Sequence, residues 1–557
     1  MLSAPARSLL RLRAPVRSLA SVAAPHGASS SSSASASASA SASASSSSAW
    51  RSRLAAAAAT TAALAGAAAL SHDTAYASAA VLVQERDPRA AFKPPLDKQY
   101  PGVYNELVAA LGEDLVSLDE DELEGRGKEA SGYATPSNPQ VVVYPESTKH
   151  VSEIMKIANR RRIPVVPYAA GTSLEGHTVA LRGGICIDMQ KMNKVLKVNV
   201  EDMDCVVQPG VQWMELNDYC RPYNMFLGVD PAPGACIGGM CGTCCSGTNA
   251  VRYGTMKDQV LNLTVVLADG SVIKTGQRAR KSSAGYDLAR IFVGSEGTLG
   301  VVTEATLRLR NVPEHMCMAR VTFPSVHAAC SAVIEILQKG VQMGAIEIMD
   351  EEMVRAVNKY SGLDLPMKPT IFFKFTGTAN HVKDDIRVVK EITSRHTKEG
   401  YRFCQTTEES DELWGARKHA FWAAQTYFDN KEIMATDVAV PISKLADCIM
   451  ATKKELDESF LFAPIVGHVG DGNFHTVIAF DPNNAKENHE AHRLNNLMVK
   501  RAIRMDGTCT GEHGVGIGKK EYLVPELGEG SVELMKTVKK ALDPHNILNP
   551  GKIIDVE

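Results

Sequence analysis

The sequence lacks the two glycine-rich signatures that most often mark a nucleotide site. No Gly-x-Gly-x-x-Gly follows an early predicted strand with an acidic residue about 20 positions on, which argues against a Rossmann-type nicotinamide site. A P-loop is missing too, because Gly518-Lys519 is followed by Lys520 and has no glycine five positions upstream. These absences exclude the P-loop kinases and NTPases.

Cysteine is scarce for a chain of this length. The 12 cysteines among 557 residues are too few and too irregularly spaced for a disulfide scaffold. Four of them do cluster, at Cys236, Cys241, Cys244 and Cys245. A C-x-x-C pair can indicate an iron–sulfur or zinc site, but the surrounding glycines favour a cofactor-binding loop.

Acidic residues are absent from residues 1–72, where six arginines interrupt an Ala/Ser-rich sequence. This composition is typical of a mitochondrial transit peptide. The uncharged run 54–70 has 17 residues, the lower limit for a membrane span. We therefore expect a bipartite presequence that delivers the protein to the inner membrane or intermembrane space in preference to the matrix. The alternative is an Ala-rich extension of a matrix presequence.

The charge balance also argues against nucleic acid as a partner. Without the six leader arginines, 54 basic and 63 acidic residues remain, so the mature chain carries about nine net negative charges. Nucleic acid is therefore not an expected partner. A basic electron carrier would be electrostatically favoured.

The middle of the chain contains short apolar strands, helices and glycine-rich turns. The patterns predict strands at 141–144, 164–167, 317–323 and 370–375, helices at 148–161 and 326–339, and a hairpin at 260–273. Glycine-rich segments occur at 168–176, 234–247, 249–254 and 294–300. Small residues let backbone N–H groups approach a phosphate closely, so these segments predict an extended phosphate-bearing ligand.

Two histidine-bearing stretches lie near the C-terminus, GHVGDGNFH at 467–475 and GEHGVG at 511–516. Asp471-Gly472 is a strong hairpin signal, which would place His468 directly opposite His475. Cross-strand neighbours lie about 5 Å apart, close enough for both imidazoles to hold one cation. With Glu512 as a third ligand and His513 as an unliganded imidazole, the pattern predicts a metal site beside a base. The alternatives are ordinary hydrogen-bonded histidines or a metal-dependent hydrolase.

Six motifs, read in order, resemble FAD enzymes of the PCMH-type fold, the vanillyl-alcohol-oxidase superfamily, and within it the 2-hydroxy-acid dehydrogenases. They are PYAAGTSLEG at 167–176, GTNAVRYGT at 247–255, GSEGTLGVVTE at 294–304, the two histidine-bearing stretches, and LNPGK at 548–552. The resemblance runs from about 132 to 554.

The resemblance implies non-covalent FAD and a divalent metal, zinc or manganese. It implies oxidation of a D-2-hydroxy acid such as D-lactate to the keto acid, with hydride transfer to flavin N5 and electrons passed to cytochrome c. D-2-hydroxyglutarate or glycolate is the alternative substrate. His177 and the cysteines at 241–245 raise the question of covalent flavin, which this branch usually lacks.

Site residues follow from the same resemblance. It implies metal ligation by His468, His475 and Glu512, a proton-accepting His513, and Asn473 and Arg417 near the substrate. It implies FAD contacts by Ala170, Gly171, Thr172, Ser173, Leu174, Gly176, Gly238, Gly239, Ser246, Gly247, Asn249, Arg252, Gly254, Glu296, Gly297, Gly300, Val301 and Asn549.

Two details bear on the substrate. Arg417 can grip a carboxylate in bidentate fashion, although without the resemblance a solvated surface arginine would be the simpler interpretation. No basic residue precedes Asp437 at Ala435 or Thr436, where the resemblance leads us to expect a lysine in an enzyme for 2-hydroxyglutarate. This departure favours a small monocarboxylate.

The expected fold is α+β, with a two-subdomain FAD-binding domain, an antiparallel α+β cap and a C-terminal segment that returns to the flavin. The expected divisions are a presequence at 1–80 with the Ser/Ala tract and the candidate membrane segment 54–70, a helical lead-in at 81–134, the FAD domain at 135–313, the cap with the metal hairpin at 314–505, and the C-terminal segment at 506–557. The oligomeric state does not follow from the sequence.

Overall fold

The computed structural model of the chain describes residues 94–129, 136–404, 406–428 and 431–556. The predicted presequence and its candidate membrane segment lie outside these residues. In the described part of the chain, no helix is both long and apolar enough to cross a membrane.

The first sheet has the strand order β1-β2-β4-β3. Its strands are β1 Val116–Ser117, β2 Val141–Val143, β3 Val165–Tyr168 and β4 Ile185–Asp188. Strands β2, β4 and β3 are parallel, and β1 from the lead-in pairs antiparallel with β2. The helix Thr148–Arg161 connects β2 and β3, and the Ser147 side chain caps its N-terminus. This unit packs around a single apolar core.

The second sheet is antiparallel, with the order β5-β6-β10-β8-β9. Its strands are β5 Val195–Asn199, β6 Asp204–Val207, β8 Val260–Val266, β9 Val272–Lys274 and β10 Val301–Arg308. A two-stranded ribbon joins β7 Met225–Phe226 to β11 Arg310–Asn311. The pairing of β8 with β9 confirms the hairpin predicted at 260–273.

The third sheet is antiparallel, with the order β15-β12-β14-β13-β18-β19-β16, and β17 also pairs with β19. Its strands are β12 His315–Thr322, β13 Met343–Met349, β14 Thr370–Gly377, β15 Tyr401–Phe403, β16 Glu432–Ala435, β17 Val438–Ala439, β18 Ile465–His468 and β19 Asn473–Phe480. Helices on this sheet bury a large apolar core.

The α-helices are short in the cofactor loops and longer around the third sheet. They span Leu96–Gln99, Val103–Leu111, Glu120–Arg126, Thr148–Arg161, Trp213–Cys220, Ile237–Thr243, Ala250–Tyr253, Met256–Gln259, Ala289–Phe292, Val326–Gln338, Glu351–Ser361, Ala379–His396, Thr407–Lys418, Ala420–Gln425, Ile442–Asp457, Ala485–Arg504, Leu523–Leu527 and Glu529–Leu542. Single 3₁₀ turns occur at Glu113–Leu115, Met189–Lys191, Arg221–Tyr223 and Lys520–Tyr522.

The register of the histidine hairpin corrects the prediction. His468 pairs with Asn473, and His475 pairs with Val466, so the loop spans residues 469–472 instead of two residues. Val469 is fully buried, and the Gly470 N–H donates to the Ile346 carbonyl of β13, so these two residues do not extend the β18–β19 ladder. The shift is even, which keeps both histidines on one face of the ribbon.

The chain returns to the first sheet near its C-terminus. The Val165 N–H of β3 donates to the Ile547 carbonyl, and the Asn549 N–H donates to the Val165 carbonyl. Residues after the last helix therefore extend the edge of the first sheet. This return brings the LNPGK motif next to the first glycine-rich loop.

Candidate active site

The two hairpin histidines and Glu512 form a cluster of metal-donor atoms. One donor atom from each lies within 4.8 Å of the others, and no second cluster of three such groups occurs among the described residues. Nε2 of His468 lies 3.2 Å from Oε1 of Glu512, and Nε2 of His475 lies 3.3 Å from the same oxygen. The Ser246 hydroxyl donates to the other Glu512 oxygen at 2.5 Å. Two imidazoles and one carboxylate form a donor set that suits zinc or manganese.

The second nitrogen of each imidazole is held by an acceptor. Nδ1 of His468 lies 3.0 Å from Oε1 of Glu347, and Nδ1 of His475 donates to the Thr436 carbonyl at 2.9 Å. Such partners fix the ring orientation and leave Nε2 as the ligand atom. Neither partner is marked by a sequence motif, because both contacts depend on how strands pair.

Electrostatics favour charged side chains in this cluster until a cation displaces the proton on Nε2 of His468. Burial alone would lower the pKa of His468, but the carboxylates of Glu347 and Glu512 raise it well above its ordinary value. Burial alone would raise the pKa of Glu512, yet His468 and His475 hold it well below its usual range. The carboxylate of Glu512 is therefore ionised and available to a cation.

Asp437 organises the loop that carries Glu512 and His513. Its Oδ2 accepts the backbone N–H groups of Gly511, Glu512 and His513 at 2.7, 2.9 and 3.0 Å, together with the Thr510 hydroxyl at 2.6 Å. Burial alone would raise the pKa of Asp437, but His513, His475 and Lys519 hold it below its ordinary value. Because one carboxylate oxygen accepts these four bonds, it fixes the candidate ligand and the candidate base together.

His513 stacks on His475, one of the candidate metal ligands. The His513 and His475 rings are 5.0 Å apart at an interplanar angle of 12°. Burial lowers the pKa of His513 to about 4, and neighbouring His475 adds to the effect. Nδ1 of His513 has no hydrogen-bond partner among the described residues and lies 4.0 Å from the Glu175 carboxylate. The side chain is therefore a neutral imidazole at pH 7.

Arg417 is buried and lines a cavity, so it is not the solvated surface arginine of the simpler interpretation. It is 7% exposed, and its Nη2 donates to Glu347. Its Nε has no partner among the described residues. A buried guanidinium with an unused N–H is a ready anion donor.

Asn473 was predicted to lie near the substrate, but it does not line the cavity. Its amide donates to Oδ1 of Asp437 at 2.7 Å and to the Val438 carbonyl at 2.8 Å. Through Asp437 it connects the hairpin to the loop at 510–513.

A cavity of about 500 Å³ joins these groups to the glycine-rich segments. His468, His475, Glu512, His513 and Arg417 all line it. So do most of the predicted cofactor residues: Ala170, Gly171, Thr172, Ser173, Leu174, Gly238, Gly239, Gly247, Glu296, Gly297, Gly300, Val301 and Asn549. Its size is within the range of small-molecule sites.

The remaining five predicted cofactor residues are not on this lining. Ser246 instead contacts Glu512, and the Gly176 N–H donates to Glu129. Asn249 accepts from Lys374 at 3.0 Å, and Arg252 donates to the Gln342 carbonyl. Gly254 packs against Asp258 with a φ of +77°.

The cavity wall suits a polar, elongated ligand. The Ser173 hydroxyl is buried without a partner among the described residues, although it lines the cavity. Gly171 has a φ of +67°, and a side chain there would collide with the Tyr168 hydroxyl at 2.2 Å. An unsatisfied hydroxyl beside bare backbone is consistent with a phosphate-bearing group.

Glu296 connects the third glycine-rich segment to the GEHGVG loop at 511–516. Its oxygens accept the Val515 and Gly516 N–H groups at 2.6 and 2.8 Å, and Nε2 of His177 lies 3.2 Å away. The Glu296 carbonyl accepts from Asn549 at 2.8 Å. The residue adopts a φ of +53°, which is unusual for glutamate and is held by these contacts.

The cysteine cluster surrounds the same cavity. Cys236 and Cys245 line it, and Cys241 is fully buried. Burial raises the pKa of Cys236 to about 11 and raises those of Cys241 and Cys245 as well. These thiols are therefore protonated at neutral pH and are poor metal ligands in that state.

Two family models match the chain. The model described as "FAD binding domain" matches residues 139–276, and "FAD linked oxidases, C-terminal domain" matches residues 312–553. The cavity lies between residues from both matched segments, so the comparisons identify FAD as its cofactor.

The chain is also similar to curated relatives in sequence and to a solved structure in fold. The chain is 48% identical over 460 residues to "D-lactate dehydrogenase [cytochrome], mitochondrial" of Arabidopsis thaliana, covering 82% of this chain and 81% of the relative. It is 44% identical to "D-lactate dehydrogenase [cytochrome] 1, mitochondrial" of Saccharomyces cerevisiae, covering 75% and 73%. 4-Ethylphenol oxidase from Gulosibacter chungangensis superposes with a TM-score of 0.68 at 17% identity, covering 83% and 98%. The structural match confirms the predicted α+β fold.

Proposed function

Because the chain belongs to the family of mitochondrial D-lactate dehydrogenases (cytochrome), which are FAD-linked oxidases, we propose that it oxidises D-lactate to pyruvate. The observation that carries this proposal is the convergence on one cavity of a buried arginine, a neutral histidine and a His/His/carboxylate cluster beside the FAD segments.

Arg417 binds the substrate carboxylate in this proposal. Its Nη2 is held by Glu347, and its Nε has no hydrogen-bond partner among the described residues, so we assign this N–H to the substrate carboxylate. A charged donor in a buried site gives a strong hydrogen bond to a carboxylate. This contact sets the orientation of the substrate Cα.

His513 accepts the proton of the substrate hydroxyl. Its pKa of about 4 keeps the imidazole neutral at physiological pH. Stacking on His475 and the backbone bond to Asp437 hold the ring in place. A correctly placed base contributes about 10²–10⁴-fold to such a step.

His468, His475 and Glu512 hold a divalent cation, zinc or manganese. When bound, the cation polarises the substrate hydroxyl and lowers its pKa. Ser246, Glu347 and Thr436 keep the three ligands oriented through the contacts described above.

The glycine-rich segments hold FAD without a covalent bond. Bound FAD would supply the acceptor for the hydride from Cα. Backbone N–H groups of the segment 170–174 and the Ser173 hydroxyl would hold its phosphates. Nε2 of His177 lies 3.2 Å from Glu296, but neither ring nitrogen makes a hydrogen bond to the described residues. We propose no covalent bond to FAD at His177. Asn473 contributes as a positioning residue through Asp437.

The substrate pocket is suited to a small monocarboxylate. Ala435, Val466 and Val477 line the cavity beside the histidine cluster. This part of the wall is apolar and offers no partner to a second carboxylate, which disfavours D-2-hydroxyglutarate. The basic side chain of Lys418 lines the same cavity and is the group that a second carboxylate would have to reach.

Electrons from the substrate would pass through bound FAD to cytochrome c. The enzyme would act in the mitochondrion, at the inner membrane or in the intermembrane space. The names of the two relatives support a mitochondrial protein with a cytochrome acceptor. The net negative charge of the mature chain is favourable for a basic carrier. We also propose a division of the chain into an FAD domain at 135–313, a cap at 314–505 and a C-terminal segment at 506–557. The second matched segment begins near the proposed cap, at residue 312, and continues to residue 553.

The test is anaerobic flavin absorbance after mixing with D-lactate, L-lactate or D-2-hydroxyglutarate in turn. We expect rapid bleaching by D-lactate alone. Bleaching by D-2-hydroxyglutarate would show that this dicarboxylate, and not D-lactate alone, is a substrate. A purified protein without flavin would support a metal-dependent hydrolase.

A further inference from the structure

Glu347 is a charged side chain in the middle of a buried strand. Every residue of β13 is buried, and Glu347 is only 1% exposed between Ile346 and Ile348. Burial of a carboxylate is costly unless the charge is paired. The Glu347 carboxylate therefore needs hydrogen-bond or charged partners at this buried position.

The partners of Glu347 are two groups of the proposed reaction. Nδ1 of His468 lies 3.0 Å from one carboxylate oxygen and 2.9 Å from the other. Nη2 of Arg417 donates to Oε2 of the same carboxylate. One side chain thus contacts both a candidate metal ligand and the candidate substrate clamp.

Strand pairing explains how Glu347 reaches His468. Ile348 pairs with Gly467 and Met349 with Val466 in the antiparallel ladder of β13 and β18. The same register continued by one residue places Glu347 opposite His468. Arg417 arrives independently, from the last turn of the helix Thr407–Lys418.

We propose that Glu347 is a positioning residue that couples the substrate clamp to the metal site, by orienting Arg417 and His468 through one carboxylate. This inference rests on the proposed function. Acceptance of the His468 Nδ1–H keeps Nε2 free for the cation. Acceptance from Nη2 of Arg417 turns the remaining guanidinium N–H groups toward the substrate.

The coupling has a measurable consequence. Loss of the Glu347 charge should weaken both cation binding and substrate binding, because the two orienting contacts share one carboxylate. A purely structural role would instead lower stability and leave both affinities of the folded enzyme unchanged.

The experiment uses the FAD-loaded full chain and compares Glu347→Gln with the wild type. Titration of the metal-depleted proteins with Mn²⁺, followed by the electron paramagnetic resonance of free Mn²⁺, gives the Mn²⁺ affinity. We expect a loss of about 10–100-fold. At saturating Mn²⁺, we expect KM for D-lactate to rise about tenfold or more, which corresponds to the loss of a charged hydrogen bond. Flavin content should stay at the wild-type level.

A matched control is Asp385→Asn. Asp385 is also a buried carboxylate beside a histidine, with Nε2 of His381 at 3.4 Å, but it lies on the helix Ala379–His396 and does not line the cavity. This variant should keep both affinities. If Glu347→Gln yields no folded protein, Glu347→Asp keeps the charge but shortens its reach, and should show a smaller loss of both affinities.

An unchanged Mn²⁺ affinity or an unchanged KM in these variants would overturn the coupling. Equal losses in Asp385→Asn would overturn it as well, since they would indicate a general effect of buried charge. A wild-type protein that is reduced by D-lactate and binds no Mn²⁺ would refute the metal part of the proposed function, and the inference with it.

Discussion

At the scale of single residues, His513 depends on its surroundings for its chemistry. A free histidine is half protonated near pH 6.5, whereas burial beside His475 lowers the pKa of His513 to about 4. The imidazole should therefore be deprotonated in the folded protein at every pH above that value. Its capacity to accept a proton is lost only as the pH falls through about 4.

Replacement of His513 by Asn should slow flavin reduction by D-lactate about 10²–10⁴-fold, because the proton acceptor is removed. FAD content should be unaffected, since the backbone bond of residue 513 to Asp437 remains. Anaerobic stopped-flow absorbance measures the rate constant. For the wild type, this rate constant should show no histidine titration between about pH 6 and pH 8.

An exposed histidine provides the control. His327 lies on the helix Val326–Gln338 and contacts Ser331 at 3.5 Å. His327→Asn should keep the wild-type rate. A rate in His513→Asn within a few-fold of that control would contradict the role of His513 as the base.

Residues also differ in how far the sequence could predict them. His468, His475, Glu512 and His513 stand in short motifs with glycines, and the structure places them all on one cavity. Glu347 stands in an apolar run and shows no comparable signal. Its partners become visible only when β13 pairs with β18, a non-local contact that no local pattern encodes.

At the scale of elements, local periodicity predicted the helix Thr148–Arg161 and the β8–β9 hairpin correctly. The histidine hairpin was also correctly predicted as a hairpin, but its register was wrong by two residues. The Asp-Gly pair suggested a two-residue turn. Contacts of Val469 and Gly470 with the neighbouring core and strand produce a four-residue loop instead.

This loop leads to a prediction for Gly472. Its φ is +87°, and a Cβ there would lie 2.3 Å from the Val440 carbonyl oxygen. Gly472→Ala should therefore lower the free energy of unfolding by about 1–3 kcal/mol from backbone strain, with the collision adding to it. Because the loop joins the two ligand histidines, cation affinity should fall as well. Chemical denaturation and Mn²⁺ titration measure the two effects.

Gly530 is the matched position. It lies in the helix Glu529–Leu542, its φ is not positive, and a Cβ at this residue would meet no atom within 4 Å. Gly530→Ala should leave cation affinity unchanged and stabilise the protein by up to about 1 kcal/mol. Equal stability of the two variants would show that Gly472 is not constrained by its conformation.

At the scale of the whole molecule, the C-terminal segment closes the cofactor site. Lys552 is 1% exposed, and its ammonium donates to the Val179 carbonyl at 2.6 Å and to Asn549 at 3.2 Å. Burial lowers the pKa of Lys552 to about 7. The resemblance predicted a C-terminal return, and the structure shows this segment at the first sheet and the cavity. Composition and periodicity alone could not predict it, because Val179 and Lys552 are 373 positions apart in the chain.

The lowered pKa of Lys552 predicts a pH dependence of stability. Between pH 7 and the unfolded value near 10.5, the unfolded chain binds a proton that the folded protein does not. The free energy of unfolding should therefore rise with pH across this window and level off below about pH 7. In Lys552→Met this rise should be smaller than in the wild type.

Chemical denaturation at about pH 7 and pH 10 measures the difference. Lys540→Met, at an exposed position on the helix Glu529–Leu542, should keep the wild-type slope. If the free energy of unfolding rises with pH as steeply in Lys552→Met as in the wild type, burial does not lower the pKa of Lys552.

The most direct test of the account is flavin reduction after removal of the metal. FAD-loaded protein is treated with a chelator, shown to be metal-free by elemental analysis, and mixed anaerobically with D-lactate. We predict that bleaching is lost and returns when Zn²⁺ or Mn²⁺ is added, because in our proposal His468, His475 and Glu512 hold a cation that activates the substrate hydroxyl. Bleaching at the original rate in the metal-free protein would contradict this account.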